Sequence, residues 1–136
     1  MRSLLLDTCT LIFLTEKSRL AAAAVEEMRA AKDGGITYIS PITAWEIGML
    51  VARGRLQLLI RPERWFANLF DVSGVRLAEM LPDLLIASSY LPGKPPRDPT
   101  DRILAATARE LGATLITRDR ALLDYGEQGH IATVAC

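Results

Sequence analysis

Short apolar segments of strand length alternate with longer segments of helical pattern along the whole of this sequence. The strand-like segments are rich in β-branched and other apolar residues: SLLL (3–6), ITYIS (36–40), VRLAEM (75–80), ATLIT (113–117) and HIATVA (130–135). Strands that alternate with helices favour a parallel sheet covered on both faces. We therefore predict an α/β fold, a three-layer α/β/α sandwich around a mainly parallel sheet of four to five strands.

The segments between these strands predict helices. They occupy residues 10–14, 18–35, 41–56, 61–70, 81–93, 98–112 and 118–126. Ser18 is expected to cap the second of them, and Pro41 and Pro99 suit a first helical turn. Gly112 is expected to end the helix that begins after Asp98.

Composition indicates one compact soluble domain over residues 1–136, because half of the residues are hydrophobic and 24% are charged. The 16 basic and 16 acidic side chains cancel, so a nucleic acid would have to be met by local charge. The apolar segments are too short to span a bilayer, and Asp7 interrupts the one nearest the start. Cys9 and Cys136 are far apart, which suits a reducing cytoplasm, and we interpret both as structurally minor.

Acidic residues follow two of the predicted strands. Asp7 comes directly after the first strand, and Asp119 lies two residues past Thr117, at the end of the fourth. The carboxyl ends of parallel strands meet at one edge of a sheet, which is where such folds bind ligands. We therefore expect these two acids to converge, although each could also cap the helix that follows it.

Glu46 lies in an apolar stripe of its predicted helix, with Ile42, Met49 and Leu50 on the same face. A carboxylate in such a stripe is costly, by several kcal/mol as an order of magnitude, unless it is paired or bound to a cation. The alternative is that Glu46 sits at the margin of the stripe, where it reaches solvent or pairs with Arg53.

The segment RDPTDRIL contains two acids with different expectations. Asp98 is placed as an N-cap, with Pro99 as the first helical residue, so we do not count Asp98 as a ligand. Asp101 begins a face formed by Leu104 and small alanines, which is typical of a helix packed inward. Capping explains Asp101 only in part, and we assign it to the acidic site with Asp7, Glu46 and Asp119.

Crowded carboxylates repel one another, and hard divalent cations such as Mg²⁺ or Mn²⁺ relieve this repulsion. A zinc site is unfavoured because the chain has one His and no suitable set of cysteines. Open acidic Mg²⁺ sites serve phosphoryl and phosphodiester chemistry. The basic residues that flank the acids are Lys94, Arg97, Arg102, Arg118 and Arg120. Together they offer a local basic rim for a phosphate backbone, although each alone is typical of a solvated surface.

Four segments resemble the PIN-domain family, specifically the VapC-type ribonuclease toxins of bacterial type II toxin–antitoxin pairs: LLLDTCTLI, SPITAWEIGMLVARGRL, RDPTDRILAATARELGATLITRD and LLDYGEQGHI. The resemblance covers essentially the whole chain and keeps the order and spacing of the segments. Its most specific part is D-P-x-D-R-x-L-A-A-x-A followed by L-I-T-R-D. A PIN-like fold is what the resemblance implies.

The resemblance also implies roles for individual residues. By motif match, the four acids of the family fall on Asp7, Glu46, Asp101 and Asp119. In the family these acids hold Mg²⁺ or Mn²⁺, and a metal-activated water cleaves phosphodiester bonds in RNA. The hydroxyls of Thr8 and Thr117 match positions that hydrogen-bond within the site, and with Arg102 and Arg118 they are the expected substrate contacts. A homodimer and a cognate VapB-type antitoxin that occupies the site are implied as well.

Two other functions are compatible with these patterns. The same fold without catalysis would be a module that binds RNA or protein, but such a module need not keep four acids. A haloacid-dehalogenase-like phosphatase also uses an acidic sheet edge, but the pattern of that family is D-x-D-x at its first strand. Here the corresponding run is DTCT, without a second acid.

Overall fold

The five predicted strands form one parallel sheet in the computed structural model, which describes residues 2–16 and 22–136. The strand order is β3-β2-β1-β4-β5, and all four neighbouring pairs are parallel. The strands are β1 (Ser3–Leu6), β2 (Ile36–Ile39), β3 (Val75–Leu77), β4 (Thr114–Thr117) and β5 (Ala132–Ala135). The sheet prediction is thus confirmed, with five strands.

Seven α-helices lie in the described chain: α1 (Thr8–Thr15), α2 (Ala22–Lys32), α3 (Pro41–Ala52), α4 (Pro62–Asn68), α5 (Pro82–Ala87), α6 (Pro99–Leu111) and α7 (Arg120–Glu127). The predicted cap Ser18 lies outside the described residues. The predicted helix over 81–93 is too long, because α5 stops where the Ser88 hydroxyl bonds the carbonyl of Leu85. None of the described helices is long and apolar enough to cross a membrane.

Two hydrophobic clusters cover the two faces of the sheet, which confirms the three-layer arrangement. Leu5 and Leu115 belong to one cluster, whereas their strand neighbours Leu4 and Ile116 belong to the other. Successive side chains of a strand point to opposite faces, so these clusters are separate layers. Helices α6 and α7 supply the first cluster through Leu104, Leu122 and Tyr125, and α1 and α2 supply the second through Leu11, Ala24 and Ala31.

The order of the strands creates a crevice beside the carboxyl end of β1. The chain runs outward from β1 through β2 to β3 and then returns to the other side of β1 as β4. The connection after β1 therefore runs to one side of the sheet and the connection after β4 runs to the other. Open α/β sheets bind ligands between two such strands. Gly112 ends α6 in the left-handed region (φ 63°) and turns the chain into β4.

Candidate active site

Asp7 occupies the carboxyl end of β1 and is buried, with 5% of its surface exposed. One carboxylate oxygen, Oδ1, accepts a hydrogen bond from the backbone N–H of Thr10 at 2.8 Å and so caps α1. The other oxygen, Oδ2, accepts a hydrogen bond from the hydroxyl of Thr117 at the end of β4. Asp7 therefore acts as a cap and also faces the crevice between β1 and β4.

Asp119 is placed beside Asp7 by the same threonine. Its backbone N–H donates to the Thr117 hydroxyl oxygen at 3.0 Å, and its own Oδ1 caps α7 by accepting from the N–H of Ala121 at 2.7 Å. The Thr117 side chain, which is fully buried, thus links the two acids. The capping alternative is correct for both Asp7 and Asp119, and it coexists with their convergence at one sheet edge.

Glu46 reaches the same edge from α3 and is half-buried. Its Oε1 accepts a hydrogen bond from the Thr8 hydroxyl at 2.5 Å, and Thr8 directly follows Asp7. Burial raises the pKa of Glu46 despite this hydrogen bond, and the charges of Asp98, Asp7 and Asp119 raise it further. The alternative pairing is wrong, because no ion pair joins Glu46 to Arg53 among the described residues.

Asp101 completes the group from the first turn of α6. Burial raises the pKa of Asp101 to about 8, and a hydrogen bond with the Asp119 carboxyl and the charges of Asp119, Asp98 and Glu46 contribute. Asp98, in contrast, caps α6 by accepting from the N–H groups of Thr100 (2.8 Å) and Asp101 (3.3 Å). The prediction that Asp98 is the cap is confirmed.

The two arginines expected to contact substrate are held by the protein itself. The guanidinium of Arg102 donates to the carbonyls of Ser88 (2.9 Å), Pro96 (2.9 Å) and Ser89 (3.3 Å). Most of its donors therefore stabilise the segment before α6 and are not directed to a phosphate. Arg118 donates to the carbonyl of Cys136 at 2.8 Å, and its guanidinium carbon lies 4.1 Å from the centre of the Phe13 ring. These hydrogen bonds give both arginines a structural role, and their contacts with substrate stay a prediction.

Cys9 lies near the acids, which its interpretation as structurally minor missed. The residue is solvent-exposed, but partial burial of its thiol raises the pKa of Cys9 to about 11. The charges of Asp7, Glu46 and Asp119 add to this shift. The only signal in the sequence was its position two residues after Asp7, in the first turn of α1.

The donor set suits a hard divalent cation, although the described residues form no ready cage. No group of three or more His, Cys, Asp or Glu within residues 2–16 and 22–136 stands close enough to hold a metal ion. The four acids nevertheless offer carboxylate oxygens at one edge. Burial is the main cause of the raised pKa values of Glu46 and Asp101, and the charges of neighbouring acids contribute. A bound cation would offset both the burial of these carboxylates and the repulsion between their charges, so the residues fit Mg²⁺ or Mn²⁺ in chemistry, while binding requires the carboxylates to draw together.

The chain belongs to the PIN-domain family. The family model, described as PIN domain, matches residues 4–128 and so includes every acid of the site. A relative in Mycobacterium tuberculosis, Ribonuclease VapC22, is 33% identical over 111 residues, which are 81% of each protein. The resemblance to the VapC-type members of the family is thereby confirmed.

Solved structures share the fold. A crystal structure of VapBC2 from Rickettsia felis, bound to a DNA fragment from their promoter, contains a chain that matches with a TM-score of 0.65 at 13% identity, covering 98% of both chains. A crystal structure of FitAcB from Neisseria gonorrhoeae matches with a TM-score of 0.55 at 19% identity, covering 96% of this chain and 95% of the other. At these identities the likeness concerns architecture alone.

Proposed function

We propose that this protein is a metal-dependent endoribonuclease that acts as the toxin of a toxin–antitoxin pair. The observation that carries the proposal is the convergence of Asp7, Glu46, Asp101 and Asp119 at the carboxyl edge of the sheet. Its support from relatives is the 33% identity to Ribonuclease VapC22 over most of both chains. The whole chain is proposed to act as one nuclease domain, over residues 1–136.

In this proposal Asp7, Glu46, Asp101 and Asp119 hold Mg²⁺ or Mn²⁺. When bound, the cation supplies a Lewis acid that activates water and neutralises the charge developing on the phosphate. The chain supplies orientation, because the Thr8 hydroxyl aims the carboxylate of Glu46 and the Thr117 hydroxyl aims that of Asp7. Thr8 and Thr117 therefore act on the acids, and a direct contact with RNA is not needed to explain them.

A VapB-type antitoxin is the proposed inhibitory partner. The support is the shared family with VapC22 and the shared fold with the VapBC2 structure. A cytoplasmic location is proposed with it, since the toxin must meet RNA and its antitoxin in the same compartment. Co-expression of the gene in the adjoining reading frame should suppress RNA cleavage, and full cleavage in its presence would contradict this part of the proposal.

A homodimer is proposed because exposed apolar side chains gather on and beside β3 and α5. Leu77, Leu81 and Ile86 each expose more than half of their surface. Exposed apolar side chains do not stabilise a monomer, but they stabilise a dimer when its interface buries them. Light scattering should give the mass of a dimer, and Ile86→Glu should shift the equilibrium towards the monomer. A monomeric wild-type protein at micromolar concentration would remove the dimer from the proposal.

The nuclease function is tested with purified protein and RNA. Wild-type protein should cleave RNA with Mg²⁺ or Mn²⁺ and should stop in EDTA, and Asp7→Asn and Asp101→Asn should each lower the rate at least about a hundredfold. Asp71→Asn is the matched control, since Asp71 is an exposed aspartate distant in sequence from the four acids. Equal cleavage by Asp7→Asn, Asp101→Asn and wild type would indicate a contaminating nuclease and reject the assignment.

A further inference from the structure

An apolar groove of about 550 Å³ lies beside the acidic site, between α3 and the first turns of α6. Glu46 forms part of its wall, so the groove and the site are continuous. The remaining wall is mainly apolar: Pro41, Ile42, Trp45, Met49, Met80 and Ile103. The roles proposed for the acids and hydroxyls of the site give this groove no function.

Trp45 is the feature of the groove that the fold does not explain. It exposes 54% of its surface. Trp45 lies one helical turn after Pro41 and one turn before Met49, so these three residues line one side of α3. Within the described part of the chain, the indole stacks on no other ring and makes no side-chain hydrogen bond. A large exposed indole at the rim of a groove marks a contact surface.

The charges of the groove select the chemistry of its occupant. Among the described residues that line it, none is basic, and Glu46 and Asp98 are acidic. A phosphate is therefore disfavoured inside the groove. A flat, neutral group that offers N–H donors fits, because it can stack on the indole and donate to carboxylate oxygens.

We propose that this groove binds a nucleobase of the RNA strand, next to the phosphodiester at the acids, with the base stacked on Trp45. The inference rests on the proposed ribonuclease function and names the part of the substrate that the site recognises. A base is joined to its phosphate through one ribose, and Trp45 and the acid Glu46 both line the groove, so both ends of one nucleotide are met on adjacent surfaces. Stacking on an aromatic side chain is tolerant of base identity, so the groove provides affinity for unpaired RNA.

Cleavage kinetics give the first test. Trp45→Ala should lower kcat/KM for single-stranded RNA about 5- to 100-fold, whereas Trp45→Phe keeps a stacking face and should stay within about threefold of wild type. Tyr90→Ala is the matched control, because Tyr90 is an aromatic residue with 81% exposure that does not line this groove. Circular dichroism and thermal unfolding should show that all three variants are folded.

Binding without cleavage gives the second test. The chain has two tryptophans, so Trp65→Phe leaves Trp45 as the only fluorophore of its kind. In EDTA, a single-stranded oligoribonucleotide should quench its fluorescence to saturation. An oligomer of the same length with abasic ribose units should bind more weakly and quench little, since it offers no base to stack.

The outcomes separate the two proposals. If wild type cleaves RNA with metal but Trp45→Ala matches it in kcat/KM and in RNA affinity, the groove inference is wrong and the nuclease function stands. If wild type neither cleaves nor binds RNA, the nuclease function itself fails. If Trp45→Ala weakens only the complex with the antitoxin, or converts a dimer to a monomer without changing RNA affinity, the groove holds a protein and the nucleobase proposal is overturned.

Discussion

Thr117, the last residue of β4, donates a hydrogen bond to Asp7, although the two residues are 110 positions apart in the chain. The same hydroxyl oxygen accepts the backbone N–H of Asp119 at 3.0 Å. The buried side chain of Thr117 thus orients the carboxylate of Asp7 and the backbone of Asp119. Because Asp7 is buried and Asp119 is partly buried, loss of the hydroxyl leaves one oxygen of Asp7 and the N–H of Asp119 without this partner.

Thr117→Val should therefore lower both stability and RNA cleavage. We expect a loss of about 1–3 kcal/mol in the free energy of unfolding, and a fall in cleavage rate of about tenfold or more because Asp7 is no longer aimed. Thr117→Ser should restore most of both. Urea unfolding and cleavage assays measure the two effects.

Thr107→Val supplies the control for this variant. Thr107 is equally buried, at 2% exposure, but its hydroxyl bonds only the carbonyl of Ile103 within α6. Its loss should leave the cleavage rate within about twofold of wild type. A Thr117→Val protein as active as Thr107→Val would show that the hydroxyl does not position Asp7.

Asp101→Asn should stabilise the metal-free protein, and the gain should grow as the pH rises from about 4 to about 8. The ordinary pKa of 3.8 for this carboxyl is raised to about 8 in the folded state, first by burial and then by Asp119. Between these values the folded protein keeps a proton that the unfolded chain has lost, so the stability of the wild type falls with rising pH. Asparagine has no such proton to lose.

Thermal unfolding in EDTA at about pH 5 and about pH 8 measures this dependence. After allowance for solvent screening, we expect a gain of about 1–2 kcal/mol at the higher pH, which is a few degrees in Tm. Asp71→Asn should show no pH-dependent gain, since Asp71 is exposed. A gain of the same size at both pH values would argue against a raised pKa of Asp101 in the folded protein.

Divalent metal should stabilise wild-type protein by binding the folded state. At a concentration about one hundred times Kd, Mg²⁺ or Mn²⁺ should add about 2.7 kcal/mol to the free energy of unfolding. The effect should weaken as the pH falls, because the carboxyl group of Asp101, whose pKa is raised, then keeps its proton. Thermal unfolding with and without metal measures it, and Asp7→Asn and Asp101→Asn should lose most of the gain. No shift for wild type at millimolar metal would count against a metal site.

Asp98 should behave as a cap and not as a ligand. Asp98→Ala should cost about 0.5–2 kcal/mol of stability because two N–H groups of α6 lose their acceptor, whereas Asp98→Asn, itself a good cap, should cost little. Titration calorimetry should find metal binding in both variants. Loss of metal binding in Asp98→Asn would instead place this carboxylate among the ligands.

Local patterns were sufficient to predict the strands, the caps and the edge on which the acids meet. SLLL and ATLIT have the length and composition of buried strands, and Asp98-Pro99 marks a helix start through backbone chemistry alone. The convergence of Asp7 and Asp119 followed from topology, since parallel strands end on one edge. Helical periodicity marked Glu46 and Asp101 as acids on apolar helix faces, and the motif resemblance then matched both to the acids of the family.

Contacts between distant segments were decided only by the tertiary structure. The sequence did not predict that loop carbonyls and the Phe13 ring contact the guanidinium groups of Arg102 and Arg118. The placement of Cys9 near the acids and the raised pKa of Asp101 also depend on packing. The physical reason is the range of each interaction. Helix and strand propensity, capping and hydrophobic alternation act between residues that are close in the sequence. A hydrogen bond or pKa shift between distant segments depends on distances of a few ångströms that only the packed fold establishes.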